Sequence, residues 1–542
     1  MSSAPTLLPT LPLSLLPLPA LLALLGVALL ARRQSGCRPR AVLWASRAAT
    51  LFALGTAVVT AVATAAGLIA GDAMTSATLG AKGFGLSLRV DALSATAFLL
   101  VAGIGAVVVQ FSRNYLDGDA RQGAFLGGLC LTLAAVMLLV LAGNLVLLVL
   151  AWIGTSLALH RLLLFRPERP GAVLAARKKF LTARLGDLAL IGAAVILAVT
   201  YGTGDIATIL KEAGLRGAQS APVTAAALLI ALAAVLKSAQ VPTHGWLLDV
   251  METPTPVSAL LHAGIVNAGG FLVIRFADVM LLAPAALHLL VIAGATTALI
   301  GGLALQTQSS VKAGLAWSTV AQMGFMLLQC GLGLFAMASL HLVAHSLYKA
   351  HAFLAAGGIV EKARAGALPT HQAAPPPGRL GLVLATALAA YLAVALPATS
   401  GEGGIPTAGV VLGALLVLAL ARFLADALGG DMSAGLLARA VARTGVLATA
   451  YAGLHAGAVW VMADTLPTPA TPGPVGLTLL GLVGAGFLAA LLVPVIAPTL
   501  GDGGTPPAWW RAARVHIANG LYANALFNRL VGALRTPIKS SF

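Results

Sequence analysis

Charged side chains are scarce in this chain. Asp, Glu, Lys and Arg make up 9% of its 542 residues, whereas hydrophobic residues make up 59% and mean hydropathy is +0.96. Because soluble proteins need a surface that is about 25–35% charged, this composition excludes an ordinary soluble fold. The cysteines Cys37, Cys130 and Cys330 are far apart and form no CxxC pair, which argues against a metal cage or a disulfide framework.

Long apolar runs are what the chain has instead. A bilayer core of about 30 Å needs roughly 20 apolar residues per helix, and these runs are too long for barrel strands. We therefore predict an all-α, polytopic membrane protein of about 15 transmembrane helices. The run 6–31 has no basic residue before it and is too long for a signal-peptide core, so it is kept as a mature span. The predicted spans lie near 6–31, 44–70, 92–112, 123–142, 144–165, 180–202, 223–240, 255–278, 284–305, 312–333, 335–360, 379–397, 405–428, 443–463 and 474–498.

Basic residues predict the orientation, since cytoplasmic loops hold the excess of Lys and Arg. An N-terminus outside the cytoplasm and a C-terminus inside it place the basic loops on the cytoplasmic side. The formal charge of +16 follows from this topology and makes nucleic-acid binding an unfavourable interpretation. The residues concerned are Arg32, Arg33, Arg38, Arg40, Arg47, Arg166, Arg169, Arg177, Lys178, Lys179, Lys362, Arg364, Arg439, Arg443, Arg511, Arg514, Arg529, Arg535 and Lys539.

Two segments differ from both spans and ordinary loops. Residues 363–378 contain three consecutive prolines and little that could pack, which predicts a semi-rigid cytoplasmic linker. Residues 509–542 alternate Arg with Trp, Val, Ile, Leu and Phe at helical spacing. Such a helix lies on a membrane surface or against a partner, and a simple lipid anchor is the alternative.

Lys237 lies in the apolar helix predicted over 228–240. A lysine facing lipid at membrane depth costs a few kcal/mol, so Lys237 is expected to face water or a partner group inside the protein and to mark an ion or proton path. The alternative is a lysine that extends to the cytoplasmic interface at the end of its helix.

The segment 241–263 after Lys237 is rich in proline. Pro242, Pro254 and Pro256 prevent a continuous helix, and unwound backbone at membrane depth is tolerated where it is buried in protein or lines a water-filled cavity. Asp249 in this segment is expected either to pair with a lysine or to cap the next helix.

Histidines form a second group of candidates. His341, His345 and Lys349 are spaced at i, i+4 and i+8 and share one helix face, and imidazole both accepts and donates protons near neutral pH. His262 alone would more often be a packing residue. Zinc is the rival interpretation for the histidine pair, but the stretch lacks an acidic third ligand. Lys312 is either an interface anchor or a further step of the path.

Arg184 and Asp187 are three residues apart in the predicted sixth span. A charge that enters the bilayer costs less when it is paired, so the two are expected to form an ion pair that could couple to a titrating neighbour. A purely structural ion pair is the alternative.

Four motifs carry a family resemblance: KSAQVPTHGWLLDVMETPTPVSALLHAGIVNAGGFLVIR, TARLGD, VKAGLAWSTVAQMGFM and HLVAHSLYKAHAFLAAG. They resemble the antiporter-like membrane subunits of respiratory complex I and Mrp-type antiporters over roughly residues 85–430. The resemblance implies two inverted five-helix repeats with broken helices, and a proton path along the membrane midplane. It implies a path of Lys237, His262, Lys312, His341, His345 and Lys349, a supporting pair Arg184 and Asp187, and a broken-helix motif with Pro242, Asp249, Pro254 and Pro256. The implied domains are N-terminal helices 1–112, repeats 113–280 and 281–430, C-terminal helices 431–500 and a cytoplasmic amphipathic tail 501–542.

The chain departs from that pattern at three places. Its fifth span has Trp152-Ile153 where the family usually has Trp-Glu, so the carboxylate partner of the central lysine is missing. Asp187 and Asp249 are both open as substitutes. The segment 397–409 offers Glu402 where the family offers a lysine, and the long lateral helix of the similar complex I subunit is not expected.

A shortened subunit with an amphipathic tail resembles the DabB family of DAB-type inorganic-carbon accumulation complexes of the bacterial inner membrane. That resemblance implies a cytoplasmic DabA-like partner, a zinc protein similar to β-carbonic anhydrases, docked near the tail. It implies no cofactor or metal and no catalytic residue on this chain, which would conduct protons or another cation and drive CO2 hydration by its partner. A proton-pumping subunit of a complex I-like or hydrogenase-like assembly, an Mrp-type antiporter subunit and an inert scaffold are the alternatives.

Overall fold

The computed structural model describes residues 13–33, 39–69, 74–81, 83–217, 219–358, 377–395, 413, 416–417, 420–421, 434–469, 471–497 and 506–533. Ten helices within these ranges are long and apolar enough to cross a membrane, which confirms the all-α membrane fold. The total of 15 stays a prediction. The predicted span 405–428, the linker 363–378 and Glu402 lie largely or wholly outside the described residues.

The chain forms two compact units, Met1–Phe165 with Leu190–Gly217, and Arg166–Ala189 with Ala218–Phe542. The first unit contains a small antiparallel ribbon and an amphipathic helix, α7, neither of which the sequence predicted. Its elements are α1 (Leu18–Arg33), α2 (Arg40–Ala65), β1 (Leu79–Ala81), β2 (Phe84–Leu86), α3 (Ala92–Tyr115), α4 (Gln122–Val140), α5 (Leu145–Leu163), the C-terminal part of α6 (Pro170–Tyr201) and α7 (Ile206–Arg216).

Side-chain caps start three helices of the first unit. The first amide groups of a helix have no partner within it, so a side-chain oxygen that accepts from them fixes the start of the helix. Asp91 Oδ1 accepts from Ser94 N at 2.9 Å, and Asn144 Oδ1 accepts from Leu147 N at 2.9 Å. Asp205 caps α7 in the same way.

The second unit holds the candidate site residues in Arg166–Ala189 and Ala218–Phe542. Two spans are interrupted: α8 ends at Lys237 before α9 begins, and α10 and α11 are separated at Gly264. Its elements are the N-terminal part of α6 and α8 (Ala221–Lys237), α9 (Gly245–Asp249), α10 (Thr255–Ala263), α11 (Ala268–Arg275), α12 (Ala277–Leu281), α13 (Pro284–Leu305), α14 (Val311–Gly331), α15 (Phe335–Ala355), α16 (Pro377–Ala390), α17 (Ala434–Met462), α18 (Pro474–Ile496), α19 (Ala508–Ala518) and α20 (Ala523–Ala533).

Helices α13 and α14 pack closely through glycines. A Cβ placed on Gly294 would lie 2.5 Å from Leu328 N, and one on Gly324 would lie 2.5 Å from Ala298 N. Small residues allow backbones to approach in this way in lipid, where packing rather than hydrophobic burial drives helix association. The approach sets the position of α14, whose polar side chains form much of the site.

Candidate ion-path site

Lys237 is buried by protein, with 7% of its surface exposed. It is the last residue of α8, and Ser238 N donates to Ala234 O at 2.9 Å before the chain leaves the helix. Ala239 then adopts a left-handed conformation with φ of 50°. The burial of Lys237 does not fit the alternative in which its amine reaches the headgroups.

Helix α6 brings an ion pair next to Lys237. Arg184 Nη2 lies 2.7 Å from Asp187 Oδ2. Gly186 of α6 faces α8 at ordinary packing distance, since a Cβ there would lie 3.7 Å from both Ala233 O and Leu236 Cβ. Arg184 and Asp187 interact electrostatically with Lys237.

Of the two candidate carboxylates, Asp187 is the one that interacts electrostatically with Lys237. It is 4% exposed, and the equally buried Lys179 is a further electrostatic neighbour of Lys237. In low-dielectric surroundings such charges interact more strongly than they do in water. Ile153, which replaces the usual glutamate, lies in α5 of the first unit.

The break after Lys237 is held by polar contacts. Ser238 Oγ donates to Val266 O at 3.0 Å, and Val241 N donates to Thr297 Oγ1 at 3.1 Å. Gln240 Nε2 donates to Ser238 O at 2.7 Å. Backbone groups that are freed at membrane depth thus find partners inside the protein. Pro242 lies in this break, Pro254 precedes α10, and Pro256 lies in its first turn.

His262 is fully buried near the end of α10. Its Nδ1 lies 3.0 Å from Thr319 Oγ1, and that hydroxyl donates its proton to Leu315 O at 3.0 Å. When the hydroxyl gives its proton to Leu315 O it accepts from His262 Nδ1, and Nε2 is then the basic atom of the neutral ring. The ring also stacks on Phe353, with centroids 4.4 Å apart.

His345 joins α15 to both α10 and α14. Its Nε2 lies 3.1 Å from His262 O, and its Nδ1 lies 2.6 Å from Gln322 Oε1. His341, one turn earlier, places Nδ1 2.9 Å from Gln329 Oε1. The two imidazole centroids are 6.1 Å apart. The structure thus brings His262 and His345 into direct contact and places His341 next in order.

A cavity of about 530 Å³ formed by described residues borders the rings of His341 and His345. Gln322, His341, His345 and Tyr348 contribute to its lining. The rest of the lining is apolar and includes Ala298, Phe325 and Phe487, so the polar groups are where water would bind. Histidines that were packed on all sides by apolar groups would not border such a cavity.

Lys349 is fully buried and points toward α14. Its Nζ donates to Leu315 O at 3.1 Å and to Ser318 Oγ. Lys312 is half-buried in the first turn of α14, three residues before Leu315.

The polar partners of these groups were not predicted from the sequence. Ser318, Thr319, Gln322 and Gln329 recur at helical spacing along α14, which was the available signal. Asn267 Nδ2, which donates to Ser346 Oγ at 2.7 Å, had no comparable signal.

Asp249 pairs with Lys178, the first of the two alternatives drawn from the sequence. Lys178 Nζ also donates to Asn524 Oδ1 at 2.6 Å, and Asn524 Nδ2 donates to Asp249 Oδ1 at 3.1 Å. Neither Lys178 nor Asn524 was predicted from the sequence to take part in this contact.

Metal ligands do not gather in the described part of the chain. No group of three or more His, Cys, Asp or Glu side chains there could hold a metal ion.

Family comparisons agree with this geometry. The family described as NADH:quinone oxidoreductase/Mrp antiporter, TM, matches residues 142–422, and that described as NADH-Ubiquinone oxidoreductase (complex I), chain 5 N-terminus, matches residues 78–126. The chain belongs to this family of antiporter-like membrane subunits.

Within that family, the chain is 38% identical over 528 residues to the probable inorganic carbon transporter subunit DabB2 of Halothiobacillus neapolitanus, covering 96% of this chain and 93% of the relative. It is 47% identical over 273 residues to the probable inorganic carbon transporter subunit DabB of Hydrogenovibrio crunogenus, covering 50% of this chain and 53% of the relative. NADH-quinone oxidoreductase subunit L of Escherichia coli is 37% identical over 278 residues, which cover 51% of this chain and 45% of the relative.

Solved structures share the fold. A chain of the Mrp complex from Dietzia sp. DQ12-45-1b is similar with a TM-score of 0.63 and 27% identity, and the match covers 97% of this chain and 61% of that chain. The membrane-bound sulfane sulfur reductase, an archaeal respiratory membrane complex, is similar in fold with a TM-score of 0.56 and 17% identity, over 95% of this chain and 99% of that chain.

Proposed function

We propose that this chain is a proton-conducting, energy-coupling subunit of the bacterial inner membrane that drives hydration of CO2 to bicarbonate by a partner protein. The observation that carries the ion-path half is the burial of Lys237 beside the Arg184–Asp187 pair, inside a broken membrane helix. Similarity to relatives named as probable inorganic carbon transporter subunits supports the carbon half.

Lys237 is the loading group in this proposal. The charge of its amine is coupled to the Arg184–Asp187 pair, with which Lys237 interacts electrostatically. A shift of the ion pair toward or away from the amine changes its proton affinity, so loading and release follow the position of α6 relative to α8. Sodium is the alternative ion, and transport of sodium along the path would be tested as well.

His262, His345 and His341 carry the second part of the path. Where the Thr319 hydroxyl accepts from Nδ1, the basic atom of neutral His262 is Nε2. His345 touches the backbone of His262 and the side chain of Gln322, and His341 follows one turn away. Imidazoles and waters in this order can hand on a proton, with His345 taking up and releasing it at Nδ1. Lys312 on α14 and Lys349 on α15 would complete the path.

The energy available is sufficient for a switch. One charge that crosses a potential of 100 mV releases about 2.3 kcal/mol, which changes an equilibrium constant about 50-fold. The partner would experience this as a change in the cytoplasmic surface of the subunit.

The partner in this proposal is a cytoplasmic DabA-like zinc protein that docks near the tail, with the N-terminus of this chain in the periplasm and its C-terminus in the cytoplasm. Zinc and the addition of water to CO2, which yields bicarbonate and a proton, belong to that partner.

A second candidate function is proton pumping in a complex I-like oxidoreductase or cation exchange in an Mrp-type antiporter. Identity of 37–41% to NADH-quinone oxidoreductase subunits over about half of this chain favours it. Co-purification separates the two functions, because a soluble zinc protein fits the first and redox subunits fit the second.

The test is to purify the tagged chain with its native partners, measure zinc, and assay bicarbonate formation from CO2 in proteoliposomes with an imposed proton gradient. Bicarbonate accumulation is expected in the presence of the gradient and is expected to collapse when an uncoupler is added. Accumulation that ignores the uncoupler would contradict the coupling.

Lys237→Ala is the decisive variant, and Lys211→Ala on the exposed surface of α7 is its matched control. Loss of accumulation in the first and its retention in the second are expected. Retention in both variants would leave the chain as a scaffold and end the proposal.

A further inference from the structure

We propose that Asn524 transmits the state of the ion path to the cytoplasmic tail, by bridging the Lys178–Asp249 pair. It is a positioning residue, since it acts through that pair. This inference rests on the proposed function for its biological meaning. The tail is defined as residues 508–533, which comprise α19, the turn Gly520–Tyr522 and α20.

The amide of Asn524 contacts both charges at once. Its oxygen accepts from Lys178 Nζ at 2.6 Å, and its nitrogen donates to Asp249 Oδ1 at 3.1 Å. Lys178 is fully buried, and the Asp249 side chain is 21% exposed. Hydrogen bonds to charged groups in such surroundings are stronger than neutral ones, so the tail is held where the ion pair is intact.

An amide is the side chain that this place requires. A carboxylate could accept from Lys178 but would repel Asp249 and donate nothing to it. An apolar side chain would leave the buried lysine with one partner fewer, which carries a desolvation penalty. The space fits as well, because a Cβ on Gly245 would lie 1.9 Å from Asn524 Oδ1, so glycine there makes room for the amide.

Further contacts hold the tail on the same unit. Gln308 Nε2 donates to Ala518 O at 3.3 Å. Gly520 has a left-handed φ of 57° and packs on Trp317, whose Cη2 would lie 2.6 Å from a Cβ at that position. The indole of Trp317 in turn lies 5.1 Å from the His244 ring, centroid to centroid. The tail therefore contacts both ends of the segment 244–249 that follows the helix break.

Both partners of Asn524 belong to elements of the ion path. Lys178 is on α6 with Asp187, nine residues or about 14 Å away along the helix. Asp249 ends α9, the helix that follows the break after Lys237. A movement of α6 relative to the α8–α9 segment, which changes the charge environment of Lys237, also changes the distance between Lys178 and Asp249. Asn524 then loses one of its two contacts, and the tail is released.

The test uses the purified complex with its partners in proteoliposomes. Asn524→Ala removes the bridge, and Asn519→Ala is the matched control, because Asn519 is exposed and bonds its own helix at Val515 O. Proton uptake, bicarbonate formation and the fluorescence of a probe on Leu530→Cys, in a background without Cys37, Cys130 and Cys330, are measured. Leu530 is 67% exposed on α20.

Asn524→Ala is expected to keep proton uptake within about twofold of wild type while bicarbonate formed per proton falls by about tenfold or more. The probe, which responds to the gradient in wild type and in Asn519→Ala, is expected to stop responding. Equal coupling and equal probe response in the two variants would overturn the inference.

A charge-exchange variant guards against misfolding. Asn524→Asp is expected to uncouple proton uptake from bicarbonate formation. The double variant Asp249→Asn with Asn524→Asp is expected to recover coupling, since the aspartate introduced at position 524 accepts from Lys178 and the asparagine introduced at position 249 donates to that aspartate. Absence of recovery in a complex that assembles normally would count against the bridge.

The proposed function can fail separately. If wild-type bicarbonate formation ignores the gradient while the probe responds in wild type and not in Asn524→Ala, the carbon function is wrong and the transmission stands. A probe that responds in both, or in neither, sinks the transmission.

Discussion

His345 Nε2 lies 3.1 Å from the backbone oxygen of His262, although 83 residues separate the two. Since a carbonyl oxygen only accepts, Nε2 must carry a hydrogen, and the protonation of His345 changes at Nδ1 alone. That atom faces the Gln322 amide. An amide offers an acceptor or a donor according to which end it presents, so Gln322 can serve both protonation states of the ring.

Gln322→Leu is expected to slow proton uptake by about tenfold to a hundredfold, because the ring loses the partner that accommodates a change at Nδ1. Uptake by proteoliposomes, followed with a pH-sensitive dye, measures this effect. Gln306→Leu is the control, since Gln306 is exposed and bonds its own helix at Gly302 O. Equal rates in the two variants would remove Gln322 from the path.

Thr319→Val should also slow proton uptake, by about tenfold, with little change of side-chain shape. It removes the acceptor of His262 Nδ1–H, so the ring loses the bond that fixes its tautomer. Thr307→Val, at a half-buried turn, is the control. An unchanged rate would show that the tautomer of His262 does not matter.

Asp187→Asn is expected to destabilise the protein by about 1–2 kcal/mol, because the buried carboxylate is lost from the pair while Arg184, which is 31% exposed, keeps part of its hydration. Arg184, Lys179 and Lys237 would remain as like charges near the neutral amide. The thermal midpoint in detergent measures the change. Asp464→Asn, at an exposed turn, should leave the midpoint in place. Equal midpoints would mean that Asp187 is not needed to balance these charges.

Gly294→Ala is expected to lower the thermal midpoint, since its methyl group would lie 2.5 Å from Leu328 N and would force α13 and α14 apart. A cost of about 1–3 kcal/mol is typical of such overpacking. Gly302→Ala on the same helix meets nothing within 4 Å. It should be neutral or slightly stabilising by about 1 kcal/mol. Similar losses in both variants would contradict the close approach.

Particular residues show how far the sequence could predict the site. Lys237, His262, His345 and Lys349 stand out because charged and titratable groups are costly within apolar helices. Thr319 and Gln322 carry only the weaker signal of their helical spacing along α14, since uncharged polar residues are common in membrane helices and their role depends on what they face. The ribbon β1–β2 and helix α7 escaped prediction because both are too short to span a membrane.

The sequence by itself determined the membrane fold class, the place of the helix break and the family, because hydropathy, proline and local motifs act over a few turns of chain. Tertiary structure decided which of the two candidate carboxylates interacts electrostatically with Lys237. From the sequence alone, Asp187 and Asp249 were equal candidates. In the folded protein Asp187 interacts electrostatically with Lys237. Asp249 instead accepts a hydrogen bond from Asn524 of the tail, 275 residues away along the chain. Pairing between distant residues depends on how whole helices pack, and one sequence does not encode that packing in any local pattern.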